Sequence, residues 1–200
     1  MTTLDTWDRT IFLKISAGPG APEALLNTAI FIATDAIYVI PLMLAAMWVW
    51  GDEKKRGLAL FACVVAFVGL GLNQVIGLAW QHPRPFAVGL SHPWLAHVAD
   101  SSFPNDHMTV FAGVGVTLLL GGETTLGVLT LVVGFLVAWS RIYLGLHFPL
   151  DMLGAVVVAR LAYVAASPFW RRIGPATTRL AGKLYGRVFA YPITRGWVRR

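Results

Sequence analysis

The sequence is poor in charge. Asp, Glu, Lys and Arg make up 13% of its 200 residues, where a soluble domain carries about 25%. It is poor in cysteine too. Cys63 stands alone inside an apolar run, which excludes an intrachain disulfide. Polar linkers, internal repeats and low-complexity stretches are lacking, so residues 1–200 are expected to form a single domain. No cleavable signal peptide is expected, because the apolar stretch Ile11 to Ile15 is short and carries Lys14.

What is present is apolar. Hydrophobic residues make up 56% of the chain and the mean hydropathy is +0.66. They gather in runs near or above the ~18 residues that suit a bilayer crossing. The pattern predicts an all-α fold, a polytopic membrane helix bundle of five to six transmembrane helices with an N-terminal amphipathic helix. That first helix, Met1 to Ser16, places Leu4, Trp7, Ile11 and Phe12 on one side and should lie at the interface. Gly18-Pro19-Gly20 ends it. The first span covers Ala24 to Trp50, tilted or kinked to accommodate Asp35 and Pro41. Further spans are expected over Leu58 to Ala79, from Asp106 or His107 to Gly121-Gly122, over Leu126 to Trp139 and over Leu150 to Ala166. Pro168 should stop the last one, leaving a basic tail over residues 169–200.

The net charge is +6. A basic balance often marks nucleic-acid binding, but these cations flank apolar runs, so no nucleic-acid partner is expected. With five spans, Lys54, Lys55 and Arg56 share a side with the tail. Eleven Lys and Arg then stand there against Arg9, Lys14, Arg84 and Arg141 on the other. That excess makes the tail side cytoplasmic.

The polar residues within this apolar frame fall in three segments. They are Arg84-Pro85, then Pro104-Asn105-Asp106-His107, then Ser140-Arg141 with His147 and Asp151 beyond. In this topology all three reach one outer face, where charge is costly unless it serves chemistry, transport or packing. His147 and Asp151 are four apart and share a helix face. A carboxylate that fixes one ring nitrogen leaves the other free to attack phosphorus. The same pair also suits a carboxylate placed at a helix N-terminus for its dipole. Arg84 and Arg141 offer planar donor forks for phosphate oxygens, or snorkel to the interface. His107 opens a helix, where free N–H groups draw anions, and stands as a general acid or a capping neighbour. Ser140 is a phosphate donor or an interfacial serine. No metal is expected, because two Arg at one spot repel a cation, and no other cofactor is needed.

These segments resemble the type-2 phosphatidic acid phosphatase superfamily, which shares its site with vanadium-dependent haloperoxidases and glucose-6-phosphatase. Its third block, Ser-Arg, five residues, His, three residues, Asp, is matched in full by Ser140, Arg141, His147 and Asp151. The resemblance implies His147 as nucleophile, Asp151 as its partner, His107 as acid, and Arg84, Arg141 and Ser140 as phosphate binders. The chain departs from the pattern twice. Gly77 stands where the first block has Lys, and Asn105-Asp106 where the second has Ser-Gly. Asn105 still offers an amide donor, whereas Asp106 is expected to turn away from phosphate or cap the helix.

Those departures, with Arg84-Pro85-Phe86 and the stretch Trp139 to Gly145, are similar to the bacterial undecaprenyl-diphosphate phosphatases linked to bacitracin resistance. That branch implies a multi-pass inner-membrane hydrolase with a polyisoprenyl diphosphate lipid substrate and a periplasmic site. Alternatives are phosphatidylglycerophosphate or phosphatidate hydrolysis, lipid phosphotransfer, and non-hydrolytic lipid-phosphate transport. His92, His97 and Asp100 are candidates for contacting a second phosphate, and His82 for replacing the absent Lys. Asp35 and Arg160 count to similar depths and are expected to pair.

Overall fold

The computed structural model describes residues 3–199. They form α1 (Thr3–Ile15), α2 (Glu23–Asp35), α3 (Val39–Trp50), α4 (Glu53–Ala79), α5 (Asp106–Leu120), α6 (Thr124–Tyr143), α7 (Pro149–Val188) and α8 (Ala190–Thr194). No strand occurs among the described residues. Four helical stretches are long and apolar enough to cross a membrane: Glu23–Trp50, Glu53–Ala79, Thr124–Tyr143 and Pro149–Val188. The shorter apolar α5 runs among them. The protein is a multi-pass membrane helix bundle.

The first span is two helices in line. A 3-10 turn over Ala36–Tyr38 separates α2 from α3, and Pro41 falls in the first turn of α3, where its missing N–H costs nothing. The turn falls a few residues before the proline.

The centre of the bundle is α5. Phe111, Val114 and Leu118 are fully buried and join Leu44 of α3, Ala62 of α4 and Val137 of α6 in one cluster. Lipid tails are as apolar as leucine, so close packing rather than water avoidance holds such helices together. Gly134 of α6 shows how close: a Cβ there would sit 2.6 Å from Cβ of Phe111. Outward-facing side chains such as Phe67, Leu78 and Phe135 are apolar and exposed. Across the end that carries the polar segments lies α1. Asp8 Oδ1 accepts from the Leu150 N–H at 2.9 Å, and Phe12 packs on Phe148.

Two expectations are corrected here. Pro168 does not end the last span, because α7 continues unbroken through Pro168 and Pro175 to Val188. Packing outweighs the lost hydrogen bonds: Trp170 stacks on Phe61 of α4 with centroids 5.4 Å apart, and Trp48 meets Tyr185 edge-on. The Ser167 hydroxyl also donates to the Tyr163 carbonyl at 2.6 Å. Residues 169–188 are thus helix rather than loose tail. Nor do Asp35 and Arg160 pair. Asp35 accepts from the Thr34 hydroxyl, while exposed Arg160 projects from the side of α7 opposite the buried Ala155 and Ala162.

Truncating the central ring tests this arrangement. Phe111→Ala is expected to cost about 3–5 kcal/mol, read as a lowered unfolding temperature in detergent. A change within error would show that α5 is not the packing centre.

Candidate active site

Residues from all three segments meet at one end of the bundle around a cavity of about 520 Å³. Arg84, His97, Asn105, Asp106, His107, Arg141 and His147 all line it, together with Gly77 and His82. Each is brought there by a local device. His147 sits in the linker between α6 and α7, just past Gly145. That glycine has φ +78°, and a Cβ there would lie 2.9 Å from Ser91 Oγ. Only glycine turns so tightly at such close approach. His107 opens α5 behind Asn105, whose Oδ1 caps the helix by accepting from the Met108 N–H at 2.7 Å. Arg141 ends α6, and Arg84 sits in the α4–α5 connection.

The hydrogen bonds assign the imidazole protons. Arg84 Nη1 lies 2.8 Å from His147 Nε2. A guanidinium only donates, so that nitrogen is unprotonated and Nδ1 carries the hydrogen. Nδ1 faces the Ser102 carbonyl at 3.0 Å and Asp151 Oδ2 at 3.2 Å. Asp151 Oδ2 further accepts from the Phe148 N–H at 2.8 Å and from the Ser102 hydroxyl. The carboxylate, wholly buried, locks the ring with Nε2 toward the cavity. On the far side, Arg141 donates to Nε2 of His107 at 3.4 Å and of His97 at 3.2 Å. Three imidazole lone pairs therefore face two guanidiniums. Arg84 is further tied to Asp100 at 2.8 Å and to the Leu146 carbonyl.

Burial holds the His147 imidazole well below its usual range, down to about 4, with Arg84 and Arg141 adding to it and Asp151 opposing. His97 is pushed down for the same reasons, burial first and then Arg84. Both rings are neutral at pH 7, so His147 offers a lone pair without prior deprotonation. The buried Asn105 Nδ2 has no hydrogen-bond partner among the described residues and remains a donor available to an anion.

The remaining expected positions have other partners. Ser140 is not at the cavity: its hydroxyl donates to the Val137 carbonyl at 2.8 Å, an i−3 bond within α6 that turns it from the phosphate-binding role. Asp106 takes the Asn73 amide at 2.7 Å on α4. His92 is exposed beside Trp94, away from the cavity. His82 lies at its edge, Nδ1 3.8 Å from Asp151 Oδ1. Gly77 leaves its share of the wall open, with Ser101 the nearest neighbour of a Cβ there. No cluster of metal-ligating side chains occurs among the described residues.

Ser102 lies outside the three polar segments, yet it touches both members of the His147–Asp151 pair. Its signal in the sequence was faint, a serine two residues before Pro104. The ring of Phe103 fills the space that Gly154 leaves on α7 and so holds the segment against Asp151.

An all-helical membrane bundle holding paired Arg and His at one end defines a membrane phosphate-handling protein. Residues 57–175 match the PAP2 superfamily, and the chain belongs to that superfamily. It is 35% identical over 196 residues to the Escherichia coli (strain K12) protein named "Putative undecaprenyl-diphosphatase YbjG", covering 98% of this chain and 99% of that one. It is 36% identical over 137 residues to "Undecaprenyl-diphosphatase BcrC" of Bacillus subtilis (strain 168), covering 68% and 70%. In structure it resembles a transmembrane PAP2-type phosphatidylglycerolphosphate phosphatase of Bacillus subtilis. The TM-score is 0.63 at 21% identity, over 86% of this chain and 89% of the other.

The depressed imidazole ties stability to pH. Between pH ~6.5 and ~4 the unfolded chain binds a proton that folded His147 refuses, so stability falls as pH drops through that window and is complete above it. Full protonation of the unfolded state alone amounts to about 3 kcal/mol. Unfolding of the wild type and His147→Asn, compared between pH 7.5 and 5, should show a shallower pH slope in the variant. Parallel curves would refute the assignment.

Proposed function

We propose that the protein hydrolyses undecaprenyl diphosphate to undecaprenyl phosphate and inorganic phosphate, at the periplasmic face of a bacterial inner membrane, and so recycles the carrier lipid for cell-wall synthesis. The observation that carries this reading is the placement of His147 Nε2: unprotonated, aimed into a cavity between two guanidiniums, with its ring held from behind by Asp151. The names of the full-length relatives support the substrate, and the excess of cations at the opposite end supports the orientation.

The reaction has two steps. The terminal phosphoryl group enters beside Arg84, Arg141 and the Asn105 amide. Its oxygens accept more strongly than neutral imidazoles, so the guanidiniums re-partner and uncover Nε2. Nε2 attacks the terminal phosphorus as the bridging P–O bond breaks. Nε2 of His107, released from Arg141 by the same re-partnering, takes a proton from the incoming diphosphate and returns it to the departing undecaprenyl phosphate. Charge on the equatorial oxygens is met by the two guanidiniums. Asp151 balances the positive phospho-imidazole. His107 takes a proton from the water that attacks the phospho-histidine and passes it to solvent, phosphate leaves, and Nε2 of His147 regains its lone pair.

Phosphate release by purified protein in detergent, with chelator present, tests this against isoprenyl diphosphates and glycerophospholipid phosphates in one panel. The isoprenyl diphosphates are expected to react fastest, and His147→Ala to lower turnover by at least about 10³-fold while the folded protein is retained. Robust turnover by the variant sinks the covalent route. Preference for a glycerophospholipid sinks the substrate. Orientation is checked separately: Val98→Cys, exposed in the loop beside the site, should react with a membrane-impermeant maleimide in cells with a permeabilised outer membrane. Labelling only after the inner membrane is opened would place the site on the cytoplasmic side.

A further inference from the structure

A second cavity, of about 680 Å³, lies at the opposite end of the bundle. Arg56 of α4 lines it with Arg179, Lys183 and Arg187 of α7, against one carboxylate, Glu53. The nearby acids are otherwise engaged: Asp52 caps α4 by accepting from the Lys55 N–H, and Glu123 pairs with Lys55 at 3.2 Å. The three α7 cations are spaced four apart, so one helix face presents them together. Arg56 is buried and donates to the Trp48 and Arg199 carbonyls at 2.8 and 2.7 Å. Its guanidinium lies over the rings of Trp48 and Tyr185. These partners orient the charge without neutralising it.

The depth of the cavity names its occupant. The 27 residues of α4 rise about 40 Å, the thickness of a bilayer with its headgroups. The start of α4, where Glu53 and Arg56 lie, is therefore at headgroup level on the tail side. Register across the interface agrees, because a Cβ on Gly57 would meet Thr178 Oγ1 at 3.3 Å. Arg179 to Arg187 then begin where lipid phosphates sit. Leu180, Leu184 and Val188 are exposed beside the cations, the mixed face of a helix at the interface. Gly182 and Gly186 leave the cavity open, for a Cβ on either meets nothing within 4 Å.

We propose that this cavity binds the phosphate headgroup of an anionic phospholipid of the tail-side leaflet, independently of the chemistry at the other end. The full chain, reconstituted in nanodiscs of phosphatidylcholine with increasing phosphatidylglycerol, provides the test through its unfolding temperature. Wild type is expected to gain stability as the anionic lipid rises. Replacing Arg179, Lys183 and Arg187 by Gln should raise the phosphatidylglycerol fraction needed for half the gain by about fivefold per cation removed. R172Q/R195Q, which removes cations outside the cavity, should leave it unchanged. G182L/G186L keeps every charge but fills the space, and should abolish most of the gain even if the triple variant does not fold. Inorganic phosphate in phosphatidylcholine discs should shift wild type and G182L/G186L equally. The proposal is overturned if wild type gains nothing, if the filled variant keeps its full gain, or if R172Q/R195Q loses as much as the triple variant. A larger phosphate shift in wild type than in the filled variant would make free phosphate, not lipid, the ligand.

Discussion

The fold depends on holding positive charge where neither water nor a matching number of carboxylates can balance it. Arg84 and Arg141 are only 4% and 5% exposed. Arg84 has one ion pair, with an Asp100 side chain that is itself 61% exposed. Arg141 has none among the described residues; it is met by the Ala33 carbonyl and two neutral imidazoles. A cation taken out of water and given only neutral acceptors is expensive. That cost is offset where an anion binds, which supports the proposed phosphate site.

The rest of the site end positions those charges rather than adding to them. A buried carboxylate, Asp151, is saturated on one oxygen by a hydroxyl, a backbone N–H and an imidazole. Each donor comes from a different device: Ser102 from a connection pinned on α7 by Phe103, Phe148 from the α7 N-terminus, His147 from the turn at Gly145. Moving any one would turn the ring and swing Nε2 out of line with Arg84. The surrounding bundle therefore need not be rigid everywhere, only at the ends of α5, α6 and α7.

The hydrophobic runs made the four long apolar helical stretches and the shorter α5 legible, because bilayer thickness imposes a length that composition alone reveals. The three polar segments could be read as one site since successive spans that reverse direction return alternate ends to the same face. What escaped were outcomes decided by packing. Pro168 predicts a stop by its own chemistry, but stacked Trp170 and Phe61 carry the helix past it. Ser140 fits the motif, yet its phase on α6 turns the hydroxyl to a backbone carbonyl. Asp35 and Arg160 share a depth but not a direction. Ser102 matters only because a loop is folded back on α7, a relation no local spacing records.

Arg84 stands in two roles that ordinarily conflict. It is proposed to donate hydrogen bonds to phosphate, and without a ligand it also covers the lone pair of the proposed nucleophile at 2.8 Å. A neutral imidazole is a modest acceptor, whereas a diphosphate oxygen forms a charge-assisted bond roughly twice as strong. The exchange is thus downhill only for an anion. Water cannot drive it, having no charge to offer the guanidinium. Binding and unmasking become one event: the group that recognises the substrate is the group whose departure frees Nε2. A lysine at position 77, as in the wider superfamily pattern, would add a second cation to this balance. With Gly77 there instead, the choice between covering the imidazole and holding the phosphate rests more heavily on Arg84.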